Sequence, residues 1–123
     1  MTKIKLTNLT VDGLIQRYIE LALAQDDAIK VGETKKYNRL FDALMAVNEE
    51  LKSRPGDQRH ALFRLYDYPN MQVRMMVAHS TLVLAPVEAR QLLEDIRASR
   101  WYPQAGSAGM SLSALDDGIY KPT

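Results

Sequence analysis

The sequence predicts an all-α chain of about six helices in antiparallel pairs. Apolar residues recur at three-and-four spacing over long stretches, no run alternates apolar with polar for long enough to make a strand, and Gly or Pro punctuates the pattern. A length of 123 residues suits a single domain over 1–123, which can bury a conventional core without a disulfide or metal staple. The connections look short, so neighbours in sequence are expected to be neighbours in space.

The first helix begins after Thr10, a suitable N-cap, and runs to about Lys30, with Gly32 placed to end it in the left-handed conformation. Leu14, Ile15, Tyr18, Ile19, Ala22 and Ile29 form its inner face. The second spans Thr34 to Ser53, stopped by Arg54-Pro55-Gly56, with Tyr37, Leu40, Phe41, Leu44, Met45 and Leu51 as its apolar stripe. Asp57 can cap a short third helix that buries Ala61, Leu62, Leu65 and Tyr66 and ends before Pro69, since proline disfavours helical geometry at the residue before it. Asn70 caps a fourth, Met71 to about Leu84, which is apolar nearly all round and so is expected to be buried on two sides. Pro86 suits the first turn of a fifth helix, whose inner face is Val87, Leu92, Leu93 and Ile96. The segment 100–123 reads as Arg100-Trp101-Tyr102-Pro103, then a flexible connector over Ala105-Gly106-Ser107-Ala108-Gly109, then a short sixth helix capped by Ser111 and carrying Leu112, Leu115 and Ile119.

The stretch Leu62-Phe63-Arg64-Leu65-Tyr66-Asp67-Tyr68-Pro69-Asn70-Met71-Gln72-Val73-Arg74, followed by Val77, Ala78 and Leu82, resembles one HEAT-type repeat. In such repeats a helix ends in Asp-x-Pro, a tight turn follows, and a Val-Arg pair opens the second helix. The resemblance, best over 61–84, implies structural roles for Asp67, Pro69, Val73 and Arg74. It also implies a short armadillo/HEAT-like right-handed superhelix, with the outer helix pairs as degenerate repeats. A carboxylate beside the turn can accept from a guanidinium fork or from backbone N–H groups, which suits a bracing pair of Asp67 and Arg74. Over its whole length the chain resembles a small bacterial family, a domain of unknown function with an armadillo-like helical superstructure. Leu6 to Asp12, Asp67 to Arg74, Trp101 to Gly106 and Ala114 to Asp116 carry that resemblance. It implies a fold and no particular chemistry.

Composition argues against many activities. The absence of cysteine removes disulfides and thiolate nucleophiles or ligands and fits a reducing cytoplasm. Lys+Arg 16 against Asp+Glu 15 leaves a charge of +1, unlike a strongly basic nucleic-acid module. No segment reaches the roughly 18 apolar residues of a membrane span, and MTKIKLTNLT has no apolar run of secretory length, so a cytoplasmic location is expected. His60 and His79 lack a second ligand at helical spacing and read as polar helix-surface positions, so no metal or other cofactor is expected. Gly106-Ser107-Ala108-Gly109 satisfies neither a nucleophile elbow nor a phosphate loop. The adjacent acidic pairs, such as Glu94-Asp95 and Asp116-Asp117, point about 100° apart on a helix and cannot converge on one atom. Met71, Met75 and Met76 read as core filler.

The expected function is therefore non-enzymatic: an adaptor or scaffold domain that binds another protein, with a homodimer as one form of such binding. The alternatives are an immunity- or antitoxin-like protein, or a helical-repeat DNA binder using Arg59, Arg64, Arg74, Arg90, Arg97 and Arg100, which the balanced charge disfavours. The partner-binding residues singled out are Arg100, Trp101, Tyr102 and Gln104, because Trp, Tyr and Arg dominate binding hot spots. The competing reading of Trp101, a ring folded back over the end of the helix stack, is the one the sequence favours.

Overall fold

The structure, a computed structural model, describes residues 5–123; among them there is no strand. The chain divides into two compact units, Met1–Ala61 and Leu62–Thr123. In the first, helices α1 (Val11–Lys30) and α2 (Thr34–Ser53) pack along each other as a hairpin. Thr10 caps α1, its hydroxyl accepting from the Gly13 N–H at 3.0 Å, and Gly32 takes the left-handed φ of 71° that lets the chain reverse within three residues. The core of this unit includes Leu14, Tyr18, Leu21 and Ala22 of α1 with Leu44, Val47 and Leu51 of α2. Phe41, expected inside, is exposed, because the buried stripe of α2 begins at Leu44 and continues through Val47, Asn48 and Leu51.

The turn after α2 is fixed electrostatically. Arg54 donates to the Glu50 carboxylate at 3.0 Å and to the Leu6 carbonyl at 3.1 Å. Beyond it the buried Arg59 guanidinium grips Asp57 with two bonds of 2.9 and 2.6 Å. That fork, more than the cost of burial, holds the Asp57 carboxyl below the usual carboxylate range. Asp57 sits at φ 52°, and the ion pair keeps it in that strained region.

The expected third helix is a 3-10 coil, Gln58–Leu65. There the i→i+3 bonds from Tyr66 to Phe63 and from Tyr68 to Leu65 satisfy the backbone in place of an α-helical ladder. In the second unit follow α3 (Met71–Thr81), α4 (Pro86–Ser99) and α5 (Gln104–Asp116). Helix α4 packs on both α3 and α5. Asn70 caps α3 as expected, accepting from the Val73 N–H at 3.0 Å. The helix is buried on nearly every side, with Met75 and Met76 in the core. It stops at Thr81, three residues short of the expected end, because the N–H groups of Leu84 and Ala85 both turn back to the Thr81 carbonyl and Pro86 keeps Ala85 out of the helical region.

Two further expectations are corrected. Val87 is 75 % exposed, because the buried stripe of α4 is Ala89, Leu92, Leu93 and Ile96 and Val87 lies on the far side of the helix. Residues 105–109 are not a connector: α5 starts at Gln104, and Ser111 lies inside it and caps nothing. Ala105, Ala108 and Leu112 make a buried stripe at helical spacing, and the burial it brings outweighs the cost of about 1 kcal/mol for each interior glycine. Ile119 lies beyond that helix and is exposed.

Candidate interaction surface

Helix α4 ends where Arg100 enters the left-handed region at φ 57°, its N–H bonded to the Arg97 carbonyl. Ser99 secures the exit: its hydroxyl donates to Ile96 and accepts from the Trp101 N–H at 3.1 Å. The Tyr102–Pro103 peptide is cis, and the Trp101 carbonyl accepts the Ala105 N–H at 2.8 Å, so Trp101 and Tyr102 are tied by backbone to the first turn of α5. Their rings stay outside. Trp101 is 63 % exposed and Tyr102 69 %, which overturns the expected cap. The physical reason lies in α5: its start at Gln104 puts Ala105, Ala108 and Leu112 into the core and turns the aromatic corner away from it.

The two glycines of α5 bring other side chains onto the same face. The Tyr102 ring lies over Gly106, where a β-carbon would sit 3.7 Å from its edge, and the Arg97 stem lies over Gly109, 3.5 Å from the equivalent position. Met110, one turn beyond Gly106, is 70 % exposed. Tyr102, Arg97 and Met110 thus line one face, with Trp101 and Arg100 at its end. Gln104, expected to join them, is 1 % exposed and turned inward, donating to the buried Gln72 side chain of α3 at 3.1 Å. Met110 escaped the sequence reading, and Arg97 entered it only among the arginines of the DNA-binding alternative, because an α5 beginning at Ser111 leaves neither on a helix face with Tyr102.

The repeat-like motif proves structural by a different route from the one expected. Arg74 does brace the turn, but its guanidinium donates to the main-chain carbonyls of Tyr68 at 2.6 Å and Asp67 at 3.4 Å, and the Asp67 carboxylate is exposed. A carbonyl in a tight turn is fixed in place, whereas the Asp67 side chain points to water. Val73 is fully buried and Pro69 exposed.

His79 is not a surface residue. Its Nδ1 lies 2.8 Å from the Met75 carbonyl, which can only accept, so Nδ1 carries the proton and Nε2 accepts from the Ser111 hydroxyl at 2.8 Å. The Tyr120 ring covers it at 5.9 Å, and burial pushes the His79 pKa down. A serine bonded to an oriented histidine has the outline of a nucleophile and base. Ser111 lies inside α5, however, where the helix ladder uses the neighbouring N–H groups and leaves none to stabilise an oxyanion.

A cleft of about 380 Å³ is lined by Leu82, Val83, Pro86, Arg90, Leu115 and Pro122. Its one cation is neutralised, since Arg90 reaches Glu94 at 3.2 Å and Asp116 at 2.9 Å. Among the described residues no group of three or more His, Asp or Glu side chains is placed to hold a metal ion, and no helix is long and apolar enough to cross a membrane.

These features define an all-helical protein with an exposed aromatic and cationic surface. The chain belongs to the family described as Domain of unknown function (DUF2019), which it matches over residues 12–116. It is also similar to a protein of Rhodopseudomonas palustris CGA009, RPA1889, known from its crystal structure. The two are 47 % identical, with a TM-score of 0.93, over 98 % of this chain and 100 % of that one. No curated protein matches it.

Proposed function

We propose that the chain is a non-enzymatic adaptor domain of the cytoplasm that holds a protein partner on the face formed by Trp101, Tyr102, Arg97 and Met110. One observation carries the reading: two large aromatics and a methionine are left mostly in water together on a single face, whereas Tyr18, Met75 and Met76 are buried. Such a patch marks an interaction site, and its residue types are those that supply hot-spot energy. The lack of oxyanion donors beside Ser111 supports the absence of catalysis, and the lack of cysteine fits the location.

The test places a photo-crosslinking amino acid at Tyr102 in the native host, with the same substitution at the exposed Val87 as control. The expected result is a discrete covalent adduct with another protein from position 102 and none from 87. Adducts of equal yield from both positions, or none from either, would refute the proposal. An adduct of twice the chain's own mass would name a second copy as the partner.

A further inference from the structure

We infer that the segment this surface accepts is acidic as well as apolar: a stretch of partner polypeptide with carboxylates flanking an aliphatic or aromatic residue. The inference rests on the interaction reading above and adds the chemistry of the partner. Charge complementarity carries it. From Gln104 to Leu115, α5 has no charged side chain, so the field over Tyr102 and Met110 is set by the end of α4. There Arg97 lays its stem on Gly109, and Arg100 follows one turn later beside Trp101. Among the described residues neither guanidinium has a carboxylate partner, whereas Arg54, Arg59 and Arg90 are each matched by one or two.

Because the whole chain is close to neutral at +1, this local excess belongs to the patch and not to the composition. The dipoles do not remove it: the partial negative end of α4 and the partial positive start of α5 lie together and largely offset each other, leaving two full positive charges. Two cations flanking three exposed apolar side chains match carboxylates set around an apolar anchor. They do not match a phosphate backbone, which is bound by neutralising many successive phosphates along a cationic track. Arg74 and Arg90 of the same unit are turned onto turn carbonyls and onto Glu94 and Asp116.

The experiment selects from a displayed library of random peptides against the intact protein and reads binding of the winners through Trp101, the chain's only tryptophan. The expected winners are enriched in Asp and Glu around Leu, Ile or Phe. They shift the Trp101 emission to the blue and bind less tightly as salt rises. Arg97→Glu with Arg100→Glu is expected to weaken them about tenfold or more, while melting like the parent. Winners that are neutral or basic, or that bind the double charge reversal equally well, overturn the inference while leaving the interaction reading intact. Winners that the Trp101→Ala and Tyr102→Ala variants capture equally well from the displayed library, or no enrichment at all, overturn both. Random duplex DNA that shifts the Trp101 emission when acidic peptides do not would assign the patch to nucleic acid and overturn the inference as well.

Discussion

Acidification should destabilise this protein through one side chain. His79 sits neutral beneath Tyr120, its Nδ1 proton on the Met75 carbonyl and its Nε2 on Ser111, and burial lowers its pKa from the ordinary value near 6.5. A group whose folded pKa is depressed by burial of its cationic form favours unfolding wherever the unfolded chain takes up a proton that the folded one refuses. For a histidine that range lies below about 6.5, so the contribution of neutral His79 is fully present above that value and is lost as pH falls through it toward the folded pKa.

Lowering pH from about 7.5 to about 5.5 removes at most about 1.4 kcal/mol, the limit reached if His79 stays neutral in the fold throughout. Other shifted groups stay silent in this window: burial raises Tyr66 and Tyr120, and Arg59 lowers Asp57. Urea unfolding followed by helical circular dichroism at several pH values measures the slope. The control is His79→Asn, whose amide can still donate to Met75 but does not titrate. The parent should lose more than the variant across the window, by up to about 1.4 kcal/mol. Equal losses in the two proteins would show that His79 protonates freely in the fold and that its burial has no energetic consequence.

Three further outcomes can be measured by thermal or chemical denaturation. Arg74→Ala should cost about 1–3 kcal/mol, the loss of charge-assisted bonds to the Tyr68 and Asp67 carbonyls, and an unchanged melt would show that the turn holds without it. Gly109→Ala should stabilise by about 0.5–1 kcal/mol, since its methyl meets only the flexible Arg97 stem at 3.5 Å and the helix gains propensity; destabilisation would mean that the close approach is needed. Trp101→Ala should stay within about 0.5 kcal/mol of the parent because the ring is 63 % exposed, and a loss of several kcal/mol would restore the cap.

Helix existence and many boundaries in this chain were legible because local chemistry decides them. Thr10, Asn70 and Pro86 start helices by capping or by fixing φ, and Gly32 ends one, each acting over three or four residues. Much of the buried stripes of α1 and α3 could be read for the same reason, since periodicity is a property of the sequence. In α1 it found Leu14, Ile15, Tyr18 and Ala22 but missed the buried Leu21, Gln25 and Ala28 and included Ile19 and Ile29, which are only half-buried. Tertiary packing alone decided the rest. Nothing local separates the glycines of α5 from those of a flexible connector. They are helical because Ala105, Ala108 and Leu112 gain burial only in that conformation. That one outcome places Met110 and Arg97 beside Tyr102, turns Gln104 onto Gln72, and leaves Trp101 in water. His79 and Ser111, 32 positions apart, meet only when α3 and α5 pack, and no spacing in a sequence records an encounter made by folding.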